Sequence, residues 1–251
     1  MSKNNKSDEW ISGEIGLTIN GKTVLLNVSV PSSVVHPRRM LPVFQKLTNT
    51  FVEMGVRDDV ETGRAVSCKA GCGACCRQIV PLAAIEAHAI SALVKSMPKA
   101  KQTLILQRFK DAIEKLAAAD LLEILREREK FPETTPREIG LRYFALDIAC
   151  PFLENESCSI HKNRPLACRE YLVTSPAENC ANPTAETVRQ IPIPAKVSNA
   201  VIKLSQNKRD AGFVPFVPLT LALEFSARTV DDSVSDTGQN ILKKVFDDLT
   251  A

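Results

Sequence analysis

Every cysteine in this 251-residue chain falls between Cys68 and Cys180, eight in all, with none in either flank. Four crowd into "SCKAGCGACCRQ", as Cys68, Cys72, Cys75 and Cys76. The other four, Cys150, Cys158, Cys168 and Cys180, follow a long cysteine-free stretch. The spacing is C-x3-C-x2-C-C, then C-x7-C-x9-C-x11-C. Adjacent cysteines make a poor disulfide with each other, because the peptide between them holds the sulfurs badly for the bond. Cysteines used only as small buried apolar residues would not be confined to two loops, and a disulfide framework belongs to short secreted chains. The pattern therefore predicts metal ligands. Gaps of two and three residues let one loop wrap a centre, and Gly71 and Gly73 give that loop the backbone freedom it needs. Cys75 and Cys76 are expected to point different ways and to serve different metals or different edges of one site, as a hinge between two ligand sets.

Eight thiolates would add eight negative charges to a chain whose formal net charge is +3, so bound cations must restore the balance locally. Four-sulfur sites suit zinc or iron–sulfur chemistry. The uneven gaps and the doublet differ from the paired C-x2-C knuckles of structural zinc sites, which favours an iron–sulfur cluster, 4Fe–4S first, over zinc. All eight cysteines are candidate ligands, and no catalytic residue can be named. The C-x3-C-x2-C spacing also occurs in radical S-adenosylmethionine enzymes, but the series of strand–helix units such enzymes need does not follow it here.

Composition is that of an ordinary globular protein, with 44% hydrophobic and 24% charged residues. No Lys/Arg block of the kind that tracks phosphates occurs, so nucleic acid is not an expected partner. The polar start "MSKNNKSDEW" is unlike a signal peptide, and no apolar run reaches membrane-spanning length. A cytoplasmic protein with reduced thiols and no membrane partner is expected. There is no Ser/His/Asp set and no phosphate loop.

The chain reads as mainly α: a helical scaffold with an N-terminal β-hairpin and two cysteine-rich metal-binding loops. Residues 1–12 are expected to be disordered and 13–251 to form a single domain, with the cysteine-cluster core at 66–182. The hairpin falls in 13–31, where two β-rich runs flank Asn20-Gly21, a dipeptide suited to a primed turn. Helices are expected at 41–55, where Leu41, Phe44, Leu47 and Phe51 recur at helical spacing, and at 81–97, ended by Pro98. The 99–129 stretch reads as one long helix or two in series. Over 134–147, Thr135, Pro136 and Glu138 form a capping box with proline at the first helical position. "PLTLALEFSAR" and "TGQNILKKVFDDL" complete the helical set, whereas the chain from Cys150 to about residue 195 reads as irregular. Basic residues at 126–130 and 207–209 read as solvated faces.

"CKAGCGACCR", "CPFLENESCSIHKNRPLACREY" and the later Cys180 together resemble the YkgJ-type cysteine-cluster family, described as a zinc- or iron-chelating domain with the signature CxxxCxxCC. The resemblance spans about 66–182 and uses every cysteine. It departs at His161, where the family usually carries Tyr. The resemblance implies a metal-binding protein acting in redox, metal handling or assembly. A relationship to flagellin lysine N-methylase implies, as an alternative, an iron–sulfur-dependent protein lysine N-methyltransferase. A structural zinc module that presents its helices to a protein partner is the third reading, and neither partner nor substrate can be named. Arg77, Arg164 and Arg169 lie in or beside the loops. They are read as structural, bonding loop carbonyls or a carboxylate such as Glu86 or Glu170, in preference to charge compensation. Phe152 and Tyr171 flank cysteines and are expected to shield the site. His161 is a weaker ligand candidate, His88 reads as packed in its helix or on the surface, and His36 carries no signal.

Overall fold

The computed structural model describes residues 9–184, 186–204 and 216–250. Two antiparallel strands, β1 (Trp10–Ile19) and β2 (Lys22–Pro31), pair along their full length. Asn20 and Gly21 both have positive φ, 50° and 76°, as the primed turn requires. The hairpin was expected at 13–31. It begins three residues earlier, so Trp10, Ile11 and Ser12 belong to a strand and not to a disordered start, of which residues 1–8 lie outside the described residues. The basic residues at 207–209 also lie outside them.

Two strands cannot bury a core alone. The hairpin turns Leu17, Ile19, Val24, Leu26 and Val30 inward against helices α1 (Leu41–Glu61), α7 (Val197–Leu204) and α9 (Gly238–Leu249). Leu41, Phe44, Leu47 and Phe51 are all buried on α1, which runs six residues past the expected end. Helix α7 was not foreseen, although Val197, Ala200, Val201 and Leu204 stand at helical spacing.

A second core joins α2 (Ala84–Lys95) and α3 (Lys99–Ala118) to α8 (Ala222–Arg228), with Phe152 and Ile160 of the second cysteine loop packed into it. The 99–129 stretch resolves into two helices, α3 and α4 (Leu122–Arg126). Helix α5 (Pro136–Ala145) starts at the expected capping box: Glu138 N–H donates to Thr135 Oγ1 at 3.2 Å and Thr135 N–H to Glu138 Oε2 at 2.7 Å. Together α4, α5 and the end of α3 form a third core. The chain is thus mainly helical, with a hairpin at one end and the cysteine loops lying among the helices. Among the described residues no helix is long and apolar enough to cross a membrane.

Candidate metal centre

The two cysteine loops are sewn together by backbone and side-chain bonds. Cys150 N–H donates to the Cys76 carbonyl at 2.8 Å, and Ser67 N–H to the Val173 carbonyl at 2.9 Å. Gly71 N–H donates to Ser157 Oγ at 3.0 Å. Arg77 adds a clamp. Its guanidinium donates to the Gly73 carbonyl (3.0 Å), to both carboxylate oxygens of Glu156 (3.1 and 2.9 Å) and to Asp147 (3.0 Å). Asp147 and Glu156 both have left-handed backbone, φ 46° and 55°, so Arg77 binds the two acids at the loop's tightest bends.

The two glycines of the first loop serve different ends. Gly71 has φ +83°, which favours glycine. Gly73 has an ordinary φ of −99°, and its constraint is space: a Cβ there would lie 2.5 Å from Glu156 Oε2 and 2.7 Å from Leu153 Cδ1.

Cys168 sits on α6 (Leu166–Glu170), a five-residue helix too short to hold itself. Its neighbours hold it. Buried Glu86 accepts from Ala83 N–H (3.0 Å) at the start of α2 and from Leu166 N–H (2.9 Å) at the start of α6, capping two helices with one carboxylate. Burial pushes Glu86 up to about 7. At the other end of α6, Glu170 accepts from the backbone N–H and hydroxyl of Ser198, at 2.9 and 2.5 Å, and burial raises it too. Arg169 donates to the carbonyls of Arg164 (3.0 Å) and Lys162 (2.6 Å) and to Asn49 Oδ1 on α1 (3.2 Å). Arg77 and Arg169 are therefore structural, as read from the sequence. Glu86 and Glu170, considered there as arginine partners, cap backbone amides instead. Ser198 was not anticipated; the apolar spacing of α7 is the only signal that could have found it.

The outcome is that all eight cysteines line one cavity of ≈ 690 Å³. Cys75 and Cys76 both line this one cavity. Among the described residues, no three His, Cys, Asp or Glu side chains converge on one point closely enough to hold a single ion. The sulfurs are distributed over the cavity wall instead. Tyr171 and His161 also line it, while Phe152 is fully buried against Phe109, ring centroids 5.7 Å apart. His88 is buried, with Nδ1 3.0 Å from Ser226 Oγ.

Six of these thiols resist ionisation. Burial raises Cys68, Cys158 and Cys180, drives Cys168 well up, and pushes Cys150 to about 12. Cys75 is held high first by its hydrogen bond to Cys76 and then by burial. Against this, backbone amides are already aimed at sulfur. Val173 N–H lies 3.4 Å from Cys68 Sγ, and the amides of Phe152 and Ile160 favour the charged forms of Cys150 and Cys158. Thiols that burial keeps protonated, facing N–H donors suited to thiolates, fit a soft metal cation. The cation displaces the protons and offsets the charge that burial disfavours.

Comparison with known proteins agrees with this chemistry. Residues 67–189, a segment containing every cysteine, match the family model CxxCxxCC, described as "Putative zinc- or iron-chelating domain". No curated protein and no solved structure matches the chain. Sulfur chemistry, loop geometry and family match coincide over one segment, and residues 67–189 are similar to a cysteine-cluster domain described as zinc- or iron-chelating.

Proposed function

We propose that the protein holds an iron–sulfur centre within its cysteine cavity, with the eight cysteines as the pool from which the ligands are drawn, and serves in redox or metal handling. The observation that carries this reading is the placement of all eight cysteines, with their uneven spacing and adjacent pair, around one cavity of ≈ 690 Å³. A closed zinc site draws four sulfurs to about 2.3 Å from a single ion. A cluster carries its ligands at the corners of a larger polyhedron, so its cysteines stand apart on a common wall. Phe152, buried in the second core, gives the cavity an apolar backing of the kind that tunes such a centre.

Anaerobic purification tests this reading directly. A brown protein containing iron and acid-labile sulfide, with broad visible absorption, is the expected result. A colourless protein that retains zinc and takes up no iron and sulfide on reconstitution overturns it in favour of a structural zinc domain.

A further inference from the structure

Three arginines stand in or beside the cysteine loops, and two are fully committed. Arg77 is engaged with Gly73, Glu156 and Asp147, and Arg169 with Arg164, Lys162 and Asn49. Arg164 differs. It lines the cysteine cavity, and its Nε is buried without a hydrogen-bond partner. The backbone at this point leaves little choice of direction. Arg164 precedes Pro165, which restricts it to extended geometry (φ −62°, ψ 146°), and its carbonyl is held by Arg169. The two carboxylates on the cavity wall are already occupied, Glu156 by Arg77 and Glu170 by Ser198. Lys69 and Lys196 also line the cavity, but both are solvent-exposed at its edge.

Arg164 is half-buried, and a buried guanidinium N–H without a partner is unfavourable unless an acceptor comes to it. The anionic groups this cavity can generate are its own thiolates.

We propose that Arg164 is a positioning residue of the metal centre, its guanidinium donating to the sulfur ligands once they are metal-bound and thereby setting how tightly the cavity holds metal. This rests on the reading that the cysteines are ligands. Loss of an outer-shell partner of this kind weakens metal affinity by about 10–100-fold.

Anaerobic titration of the metal-free protein with Co²⁺, read by the sulfur-to-cobalt charge-transfer band, tests it. Arg164→Met is expected to bind Co²⁺ about 10-fold or more weakly with a shifted band. Its metal-free form should melt no lower than wild type, because a buried donor without a partner has been removed. Arg164→Lys keeps the charge but not the planar fork, and is expected to lose several-fold less; it carries the measurement if Arg164→Met aggregates. Affinity and band equal to wild type in either variant overturn the proposal. So does a lowered melting temperature of metal-free Arg164→Met, which would make the residue merely structural. Wild-type protein that takes up no Co²⁺ removes the ligand reading itself, and this proposal with it.

Discussion

The amide of Cys150 donates to the carbonyl of Cys76 at 2.8 Å, joining the last cysteine of the first loop to the first cysteine of the second. Two segments separated by three helices, α2, α3 and α5, and the shorter α4 are thereby fixed side by side. Neither loop has regular structure enough to keep this position alone. Coordination across them should therefore support the fold as well as the chemistry.

Removing the metal is expected to lower the melting temperature substantially. A ligand present at 1,000 times its dissociation constant stabilises by about 4 kcal/mol, which for a chain of this size is about 10 °C or more. Differential scanning fluorimetry of metal-loaded protein before and after chelation, under reducing conditions, measures it. Unchanged melting would mean the loops hold each other without coordination.

Cys168→Ser should reduce metal binding more than Arg164→Met does, since it removes a first-contact donor. A loss beyond the ~10–100-fold typical of an outer-shell change is expected. Because α6 is held by Glu86, Arg169 and Glu170, the metal-free variant should fold like wild type. Metal analysis together with circular dichroism separates the two effects.

Gly73→Ala should destabilise by about 1–3 kcal/mol, the usual result of forcing atoms into a filled site. The added methyl meets the ends of the Glu156 and Leu153 side chains, so the Glu156 carboxylate must shift from its place in the Arg77 clamp and metal content should fall with stability. Gly71→Ala acts differently, through its φ of +83°, with nothing within 4 Å of the new Cβ. Urea titration with metal assay checks both.

Glu86 gives a pH dependence of stability. Burial raises its folded-state pKa from 4.5 to about 7, so between these values the folded chain holds a proton that the unfolded chain has released. Stability is highest on this account below about pH 4.5 and falls as pH rises to 7, by about 3 kcal/mol in all. Metal-free protein should show a lower urea midpoint at pH 8 than at pH 5. Glu86→Gln should flatten that slope and lower stability at pH 5 by about 1–3 kcal/mol, because its amide cannot accept from both backbone N–H groups.

Local signals were legible in the sequence where a few neighbouring residues decide the outcome. Asn20-Gly21 specifies the hairpin turn, Thr135-Pro136 with Glu138 specifies the start of α5, and the apolar spacing of α1 names its buried face. The cysteine set and the two loops were equally plain from spacing. That the two loops would meet was expected from the thiols they share; the contacts that seat them, such as Ser67 with Val173, were not, because they link residues far apart in the chain. Short α6 escaped notice because its stability comes from Glu86, Asn49 and Ser198, and from almost nothing in its own five residues.

Cys180 is the last sulfur to join the cavity, and it lies in the 177–181 turn that packs against the first loop. During synthesis the first four thiols emerge well before it; at ~5–20 residues per second the interval is roughly 5–20 s. Over that time the nascent chain carries a bare CxxxCxxCC loop with no enclosing wall. Any loading that needs all eight sulfurs must wait for Cys180, and the interval is when oxidants or the wrong cation can most easily reach the first four.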